Sequence, residues 1–225
     1  MIYIVNKKRK LENVIKEFPN AAILDITSTS NKRYAQILSP FYPHMNIPIP
    51  FTEGLTATCV EAVWQGLKVF DCVDVDFVTF RNDTMKDLKR TVRKYGTPKG
   101  HRKGAFGKDL LGYFEARMLI YLPTYKWVLD NVKEVNRVVE SIKKQSKIQD
   151  IVFLDYNTNI DFRDTSKPLS HAGLVKLYIE GNYPEGLDGY EQMTKEELEE
   201  KKRQDKAQRV KNKNKKQESP KIPGF

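Results

Sequence analysis

Two hydrophobic periods divide the chain into segments typical of strands and segments typical of helices. Residues 1–6, 22–27 and 151–156 are short, mainly apolar runs, which predicts three strands. Between the first two runs, residues 11–18 carry apolar side chains at helical spacing and are followed by a proline. The chain is therefore predicted to begin with a strand–helix–strand unit.

Residues 58–70, TCVEAVWQGLKVF, are the stretch around which we expect the rest of the chain to be organised. Apolar residues at i, i+3, i+7 and i+10 predict one buried helical face. A second stripe, at i, i+3, i+4 and i+7, carries a carboxylate, an indole, an amide and an amine. We predict a helix with a chemically active edge. The residues of that edge are Glu61, Trp64, Gln65 and Lys68.

Glu61 also has a purely structural interpretation. Thr58 precedes it by three residues, and this spacing is typical of a capping box at a helix start. The preceding segment favours a site, because residues 39–57 contain several prolines and no helical period. We expect an ordered loop that forms a pocket wall, with Phe41 and Phe51 holding it against the body of the protein.

Further helical segments are predicted along the chain. A helix over residues 84–95 has one apolar and one basic face, and Gly96 follows as a C-cap. Residues 96–107 are a glycine-rich basic loop that can wrap phosphate, and a flexible solvated loop is the alternative. Pro123 is expected to interrupt the helical pattern between residues 110 and 145. The helices predicted after this loop cover residues 110–122, 125–145 and 170–180.

Length and composition limit the class of protein. With 225 residues, 40% of them hydrophobic and 30% charged, the chain can bury one sizeable core. We predict an α+β fold that is a mainly helical single domain with a small sheet, over residues 1–185. Residues 186–225 are predicted to be a charged tail, helical or disordered, because they contain few hydrophobic residues.

The apolar segments do not predict a membrane protein. No run approaches the roughly 20 residues that span a bilayer. In the first ten residues the apolar run precedes the charges, which is the reverse of a signal peptide. Cys59 and Cys72 lack metal-type spacing and predict reduced thiols. We expect a cytoplasmic protein without membrane association.

The formal net charge of +10 predicts an anionic partner. Basic residues are concentrated in residues 81–108 and in the tail. DNA or RNA can therefore bind through residues 86–108 and the tail. A solvated basic face and a solubilising tail are the alternatives.

Polar residues alternate directly after the predicted strand at residues 151–156. Their spacing resembles the first half of an EF-hand loop, but Ile160 occupies the glycine position and Ser166 the bidentate glutamate position, which excludes that calcium site. Polar residues here can line a site or form Asx turns. Isolated histidines rarely form metal sites, and we expect no metal and no cofactor. The alternating residues are Asp155, Asn157, Asn159 and Asp161.

Several segments, in order, resemble the NADAR (YbiA-like) family. Residues 39–41 match the family's Ser-x-Phe segment, and residues 61–68 keep the spacing of its Glu, Gln and Lys. A basic turn at residues 100–102 and an arginine-bearing helix at residues 115–117 follow. The acidic–aromatic segment at residues 153–162 comes last. The chain also resembles a smaller set of phage and bacterial proteins of unassigned function that carry SPFYPH, VWQGLKVF and KPLSHA.

The resemblance implies an N-glycosidase that cleaves ribosyl–base bonds, in ADP-ribosylated nucleic acid or in a nucleotide-like metabolite. Breaking such a bond needs a carboxylate near the sugar and an acid for the leaving base. A lysine with a lowered pKa can instead attack the opened sugar. The implied catalytic residues are Glu61, Lys68 and Asp161. The implied substrate-binding residues are Phe41, Trp64, Gln65, Arg90, Arg102, Arg117 and Asn159.

Other interpretations of these residues remain open. Trp64 can equally be a core residue, Arg90 part of a solvated basic face, and Arg117 an ion-pair partner of Glu115. The whole protein can also bind nucleic acid without catalysis, or sequester a nucleotide in a pocket that has lost its chemistry.

Overall fold

A three-stranded parallel sheet lies at the centre of the fold, and its strands are far apart in sequence. The structure is a computed structural model that describes the backbone of residues 1–217 and the side chains of residues 1–208. β8 (Ile151–Asp155) is the central strand, flanked by β1 (Ile2–Asn6) and β2 (Ala22–Asp25). α1 (Leu11–Glu17) connects β1 to β2, so the predicted strand–helix–strand unit is confirmed. All five residues of β8 are buried, as expected for a central parallel strand.

The other strands are short and antiparallel. One pair and one three-stranded sheet form among the described residues. The pair is β3 (Ile47–Pro48) with β4 (Thr56–Ala57), and the sheet has the order β5 (Lys68–Val69), β6 (Gly100–Arg102) and β7 (Leu110–Leu111).

Most helices pack on one face of the parallel sheet, and α1 covers the other face. A π-helical segment, Arg117–Tyr121, lies between two of them and joins them into one continuous helical run. After α1, the helices are α2 (Arg33–Leu38), α3 (Val60–Gly66), α4 (Phe77–Phe80), α5 (Val92–Tyr95), α6 (Tyr113–Ala116), α7 (Leu122–Asn131), α8 (Lys133–Ser146), α9 (His171–Ile179) and α10 (Lys195–Gln217).

Two apolar clusters stabilise this arrangement. The larger one fills the space between the sheet, α3, the π-helical segment and helices α7 to α9. The smaller one lies on the opposite face, where α1 covers the sheet. The helix predicted over residues 58–70 is longer than the observed one, because α3 ends at Gly66 and Lys68–Val69 forms β5. All four residues of the predicted apolar face are nevertheless buried. These are Val60, Val63, Leu67 and Phe70.

The helix predicted over residues 84–95 is wrong. Only its last turn forms, as α5, and Gly96 follows with a φ of 83°, as a C-cap. Met85 and Asp87 have positive φ, which a helix does not allow. Arg90 is the physical reason. Its backbone N–H and its buried guanidinium donate to Gln65 of α3, and the guanidinium also donates to the Asp74 carbonyl. These tertiary bonds outweigh the local helical preference.

The helix break predicted at Pro123 is also wrong. The helical run continues from α6 to α7, and the chain leaves it only at Val132, which has extended backbone geometry. Pro123 lies in the first turn of α7, directly after the π-helical segment. The π turn before Pro123 is wider than an α turn, which gives the proline ring room inside a continuous helical run. The Thr124 hydroxyl donates to the Ile120 carbonyl at 2.6 Å within this run.

The tail contains the predicted helix, α10, and this helix contacts the domain. Lys201 Nζ lies 3.0 Å from a carboxylate oxygen of Asp161 and 3.0 Å from one of Asp164. Arg163 pairs with Glu197 at 3.0 Å. Residues 218–225 of the predicted tail lie outside the described residues, and the domain boundary after residue 185 stays a prediction.

The fold class is α+β. About 40% of the chain is helical and 12% is strand, in a single compact domain with small sheets, so the predicted mainly helical fold is confirmed. Within the described residues, none of the helices combines the length and the apolar character that crossing a bilayer requires.

Candidate active site

A cavity of about 390 Å³ lies at the carboxyl-terminal edge of the parallel sheet. β8 ends there, and its last residue, Asp155, lines the cavity together with Tyr156 and Asn157. Ligands of parallel sheets bind at this edge, outside the carboxyl ends of the strands. α3 and the helical run that contains the π-helical segment form further walls. The cavity is therefore the candidate active site.

Glu61 lines this cavity and does not form the predicted capping box. The Thr58 hydroxyl donates to the Asn82 carbonyl at 2.6 Å, and Cys59 is the N-cap of α3. The Glu61 backbone N–H donates to the Pro40 carbonyl at 2.8 Å, which joins the proline-rich loop to the helix. The Glu61 side chain is only 7% exposed and borders the cavity. The capping interpretation is therefore wrong.

Three side chains of the predicted edge form a hydrogen-bonded chain. Gln65 Nε2 donates to Glu61 Oε1 at 2.8 Å, and Lys68 Nζ donates to Gln65 Oε1 at 2.9 Å. The Arg90 backbone N–H also donates to Gln65 Oε1, at 3.0 Å. Because two donors face this oxygen, the amide has one favourable orientation, with its NH₂ toward the carboxyl group. Glu61 is thus held in one position from behind.

Burial is the largest influence on the charged groups of this chain. It raises the pKa of Glu61, while the hydrogen bond from Gln65 and the charges of Lys68 and Lys89 act in the opposite direction. Burial lowers the pKa of Lys68, and the charge of Glu61 opposes this. A buried carboxyl group with a raised pKa is suited to proton donation near neutral pH.

Trp64 presents an aromatic surface to the cavity. Its ring lies 5.8 Å from Tyr113 and 5.6 Å from Tyr121, both edge-on, and 3.8 Å from His101. Tyr113 and Tyr121 also line the cavity. Flat apolar rings that border a polar cavity can hold a planar heterocycle by stacking.

His101 supports Trp64 without hydrogen-bond partners. It is 2% exposed, and neither ring nitrogen has a partner among the described residues. Burial lowers the pKa of His101 to about 3, and the charges of Lys68 and Arg90 act in the same direction. The imidazole is therefore neutral at physiological pH and packs as an apolar ring.

Asp155 is the second buried carboxylate of the cavity. Its Oδ1 accepts from the Tyr156 backbone N–H at 2.7 Å, and its Oδ2 accepts from the Ser170 hydroxyl at 2.6 Å. His171 Nδ1 lies 3.4 Å from Oδ2, and His171 Nε2 lies 2.5 Å from the Ile26 carbonyl. The histidine does not lie between serine and aspartate, so this is not a serine-hydrolase triad. The donors instead hold a carboxylate in a fixed orientation.

Two cationic side chains border the cavity, and they differ in what they bind. Lys89 Nζ lies 5.5 Å from the centre of the Phe41 ring, a cation–π contact that leaves the ammonium able to bind an anion. Arg117 is buried, and its guanidinium donates to three backbone carbonyls of the loop after β8. These carbonyls belong to Phe162, Asp164 and Lys167.

A family model covers the part of the chain that forms this cavity. Residues 6–175 match the model of a family of unknown function, DUF6939. The chain belongs to the DUF6939 family. The matched region includes every residue that lines the cavity and ends within α9, so α10 lies outside it. A search of the curated proteins finds no match.

The DUF6939 region contains all ten predicted site residues, and the cavity gathers half of them. Tertiary structure brings the proline-rich loop, α3 and the π-helical segment together at this point. The predicted residues that line the cavity are Phe41, Glu61, Trp64, Gln65 and Arg117. Those that do not are Lys68, Arg90, Arg102, Asn159 and Asp161.

The two predicted residues of the loop after β8 have structural roles. Asp161 pairs with Lys201 of α10 at 3.0 Å. Asn159 Nδ2 donates to the Asp164 carbonyl at 3.2 Å, inside the loop. Neither lines the cavity, because the loop turns these polar groups toward its own backbone and α10.

The predicted phosphate-binding arginines are also occupied by the protein. Arg90 is buried, not solvated, and donates to the carbonyls of Gln65, Lys68 and Asp74. Arg102 forms a two-contact pair with the Asp74 carboxylate.

Arg117 does line the cavity but does not pair with Glu115. The Glu115 carboxylate accepts instead from the Gly112 backbone N–H at 2.9 Å. The ion-pair interpretation of Arg117 is therefore wrong, and its guanidinium is a support for the loop after β8.

Several cavity residues carry no site assignment from the sequence. Asp155 has the clearest available signal, because it is the last residue of an apolar strand and parallel strands place ligands at that end. Tyr113 and Tyr121 lie two turns apart on one helical run, and that spacing gives no sign of the cavity. From the sequence, Asp155 counts only among the polar residues that can line a site or form Asx turns. The cavity residues without any earlier assignment include Lys89, Tyr113, Tyr121 and His171.

The three histidines lie in different environments. His44 Nε2 lies 2.9 Å from the Ile37 carbonyl, His101 packs on Trp64, and His171 borders the cavity. Throughout residues 1–208, no three His, Cys, Asp or Glu side chains are grouped as metal ligands require.

Proposed function

We propose that the protein is a hydrolase that cleaves the N-glycosyl bond between a ribose and a base. The observation that carries this proposal is that two buried acidic side chains, Glu61 and Asp155, line one cavity together with aromatic rings. Glycoside hydrolysis uses two carboxyl groups around the bond, one as an acid and one as a base or nucleophile. The environments of the two residues suit different roles.

Glu61 acts as the general acid. Burial raises the pKa of Glu61, so the group keeps its proton to a higher pH than an exposed glutamate does. As the bond between the anomeric carbon and the base nitrogen breaks, its electron pair goes to the base. The proton of Glu61 neutralises the base as it leaves.

Asp155 acts as the general base and replaces Asp161 in this role. It takes a proton from the water whose oxygen adds to the anomeric carbon, and it stabilises the positive charge that develops on the ribose. Ser170 and the Tyr156 backbone N–H orient its carboxylate for this. The products are the base, either free or still part of its nucleic acid, and a ribose with a hydroxyl group at the anomeric carbon.

The aromatic and cationic residues bind the rest of the substrate. The base stacks on Trp64 or a neighbouring tyrosine, and a phosphate of the nucleotide binds Lys89. The substrate is ADP-ribosylated nucleic acid or a nucleotide-like metabolite, and the resemblance of residues 61–68 to the NADAR family supports this. On the same ground we propose a distant relationship to that family.

Lys68 is a positioning residue in this proposal. Its ammonium is bonded to Gln65 Oε1, and it does not line the cavity, so it is not assigned the covalent Schiff-base role. It orients the Gln65 amide, which in turn holds Glu61.

The expected compartment is the cytoplasm. Cys59 is buried and Cys72 is exposed, and both are free thiols. An exposed free thiol favours a reducing compartment.

The experiment that tests the proposal is mass spectrometry of products. Wild type, Glu61→Gln and Asp155→Asn are incubated with ADP-ribosylated DNA and with a panel of ribosylated bases. Wild type should release the base or ADP-ribose from one substrate, and each variant should release it at least about 100-fold more slowly.

Asp161→Asn is the matched control, because it removes an acidic group that does not line the cavity. It should keep the wild-type rate. If no panel member gives product and wild type and Glu61→Gln bind one of them equally tightly, the protein sequesters a nucleotide and the hydrolase proposal is wrong.

A further inference from the structure

A second concave surface, separate from the candidate active site, has two exposed phenylalanines at its edge. Phe106 is 74% exposed and Phe77 is 41% exposed, and their rings lie 5.8 Å apart at 32° to each other. They border a groove of about 620 Å³ that also includes Arg102 and Lys108. We call this surface the Phe106 groove. Exposed aromatic rings grouped at a groove mark interaction sites more often than scattered apolar residues do.

The loop that carries Phe106 has a fixed backbone. Gly104 has a φ of +87°, and a Cβ there would lie 2.4 Å from the Phe51 carbonyl oxygen. A Cβ on Gly107 would lie 2.0 Å from the Lys103 carbonyl oxygen. The Ala105 N–H donates to the Thr52 hydroxyl at 2.8 Å. The glycines therefore allow a tight loop that presents Phe106 to solvent.

The positive charges beside Phe106 are not neutralised by the protein. Lys108 lines the groove, and Lys103 lies on the same loop just outside it, with its ammonium 5.3 Å from the centre of the Phe51 ring. Both are exposed, and neither has a carboxylate within ion-pairing distance among the described side chains. Arg102, in contrast, is paired with Asp74. The Phe106 groove thus combines two neighbouring exposed aromatic rings with the unpaired ammonium of Lys108, and Lys103 lies beside it.

We propose that the Phe106 groove binds single-stranded nucleic acid. Unpaired bases stack on Phe106 and Phe77, and the phosphates between them bind Lys103 and Lys108. Proteins that bind single strands combine aromatic platforms with a positive groove in this way. A duplex does not fit this chemistry, since its bases are already stacked on each other. The formal net charge of +10 favours a polyanion as the partner.

This inference does not depend on the proposed hydrolysis. The residues of the groove and those of the candidate active site do not overlap. Binding is measured with an unmodified strand, which contains no bond that the proposed activity would cleave. Failure of one proposal therefore leaves the other intact.

The experiment is fluorescence anisotropy of a short labelled oligonucleotide, titrated with the full chain at several salt concentrations. Phe106→Ala should weaken binding about 10-fold, since one base loses its stacking partner. The double variant Lys103→Ala/Lys108→Ala should lower the slope of log affinity against log salt by about 1.4, the value for two phosphate contacts on a single strand.

Two matched controls test whether the effect belongs to the groove. Ile148→Ala removes an apolar side chain that lies outside the groove, between α8 and β8, and is 86% exposed. Lys144→Ala/Lys147→Ala removes two exposed lysines outside the groove. Both should bind the strand as wild type does.

Several results would overturn the inference. Equal affinity for wild type and Phe106→Ala would show that the ring contacts no base. Tighter binding of a duplex, or an equal loss with the lysine controls, would show unspecific attraction to phosphate. No strand binding, with association to anionic vesicles or self-association that Phe106→Ala abolishes, would assign the groove to a membrane or to a second copy.

Discussion

The α3 wall of the cavity and the loop over residues 159–167 are both polar, but they use their polar groups differently. In the wall, Glu61 is bonded by Gln65 from behind and borders an open cavity in front. In the loop, Asn159 and Asp164 are bonded to loop backbone, to Ser166 and to α10. The wall has a buried acid that borders a cavity, whereas the polar groups of the loop form hydrogen bonds and ion pairs within the protein.

This difference shows how to separate a site from a scaffold when both are rich in acids and amides. The family resemblance of the sequence implies catalytic roles for both Glu61 and Asp161. In the structure, Glu61 borders the cavity, where a ligand can reach it, whereas Asp161 is paired with Lys201 away from the cavity. Substitutions in the wall should therefore change chemistry or titration, and substitutions in the loop should change stability.

The largest expected effect concerns His101, behind the wall. The folded protein keeps this imidazole neutral down to about pH 3, because burial lowers its pKa, while in the unfolded chain it takes up a proton below about pH 6.5. The folded state therefore loses stability as the pH falls through this window, by up to about 4–5 kcal/mol from this group. Above pH 6.5 the loss is absent.

The variant His101→Phe should remove that loss, because phenylalanine can stack on Trp64 and does not titrate. Urea denaturation at pH 7 and at lower pH gives the difference between the two proteins. Parallel loss of stability in both would show that the imidazole is solvated, and the wall would then lack this pH-sensitive group.

Arg117, in the π-helical segment, gives the next largest effect, because its guanidinium supports the loop over residues 159–167. Arg117→Met should lower the free energy of unfolding by about 3 kcal/mol, since three carbonyls lose their donor inside the protein. Chemical denaturation measures this free energy of unfolding. The control is Arg137→Met, which changes an exposed arginine of α8. An unchanged stability would contradict the scaffold role of this loop.

Lys201 should have a smaller effect on the same loop. Lys201→Ala removes the ammonium between Asp161 and Asp164 and should cost about 1–2 kcal/mol, because the Asp164 carboxylate is buried and Lys201 is partly exposed. The adjacent Lys202→Ala is the control, since Lys202 is exposed and forms only a surface pair with Glu199. Equal melting temperatures for the two variants would show that the Lys201 ion pairs do not stabilise the contact between α10 and the loop.

Lys68 should have the smallest effect on stability and a visible effect on titration. Its charge lowers the pKa of Glu61, so Lys68→Met should raise that pKa further. If Glu61 donates a proton, the alkaline limb of the kcat/KM profile moves to higher pH, while stability changes by less than about 1 kcal/mol. An unmoved limb would show that another group is the acid.

The elements with regular apolar patterns were predictable, and those that depend on distant contacts were not. The strands β1, β2 and β8 and the helix α9 follow from apolar runs and from caps such as Ser170. Residues 84–95 have an equally regular helical pattern, yet they do not form a helix. There, Arg90 gains more from three buried carbonyls than a helix would provide.

The candidate site was predictable to the same degree. The spacing of Glu61, Trp64 and Gln65 places them on one edge of α3 whatever surrounds it, and all three line the cavity. The end of an apolar strand marks Asp155 as a candidate, but no local pattern indicates that Asp155 or Tyr121 lies beside α3. Only the packing of β8 and the π-helical segment against α3 produces that meeting.

The sequence by itself determined the α+β class, the central strands and the polar edge of α3, because the side-chain period of a strand or helix depends on local geometry alone. Tertiary structure decided which polar groups remain available. A buried donor or acceptor must find a partner, and Arg90 and Arg117 find theirs in distant parts of the chain. The half-buried Asp161 likewise pairs with Lys201. Glu61 is bonded only from behind, and so it borders the cavity with its acid available.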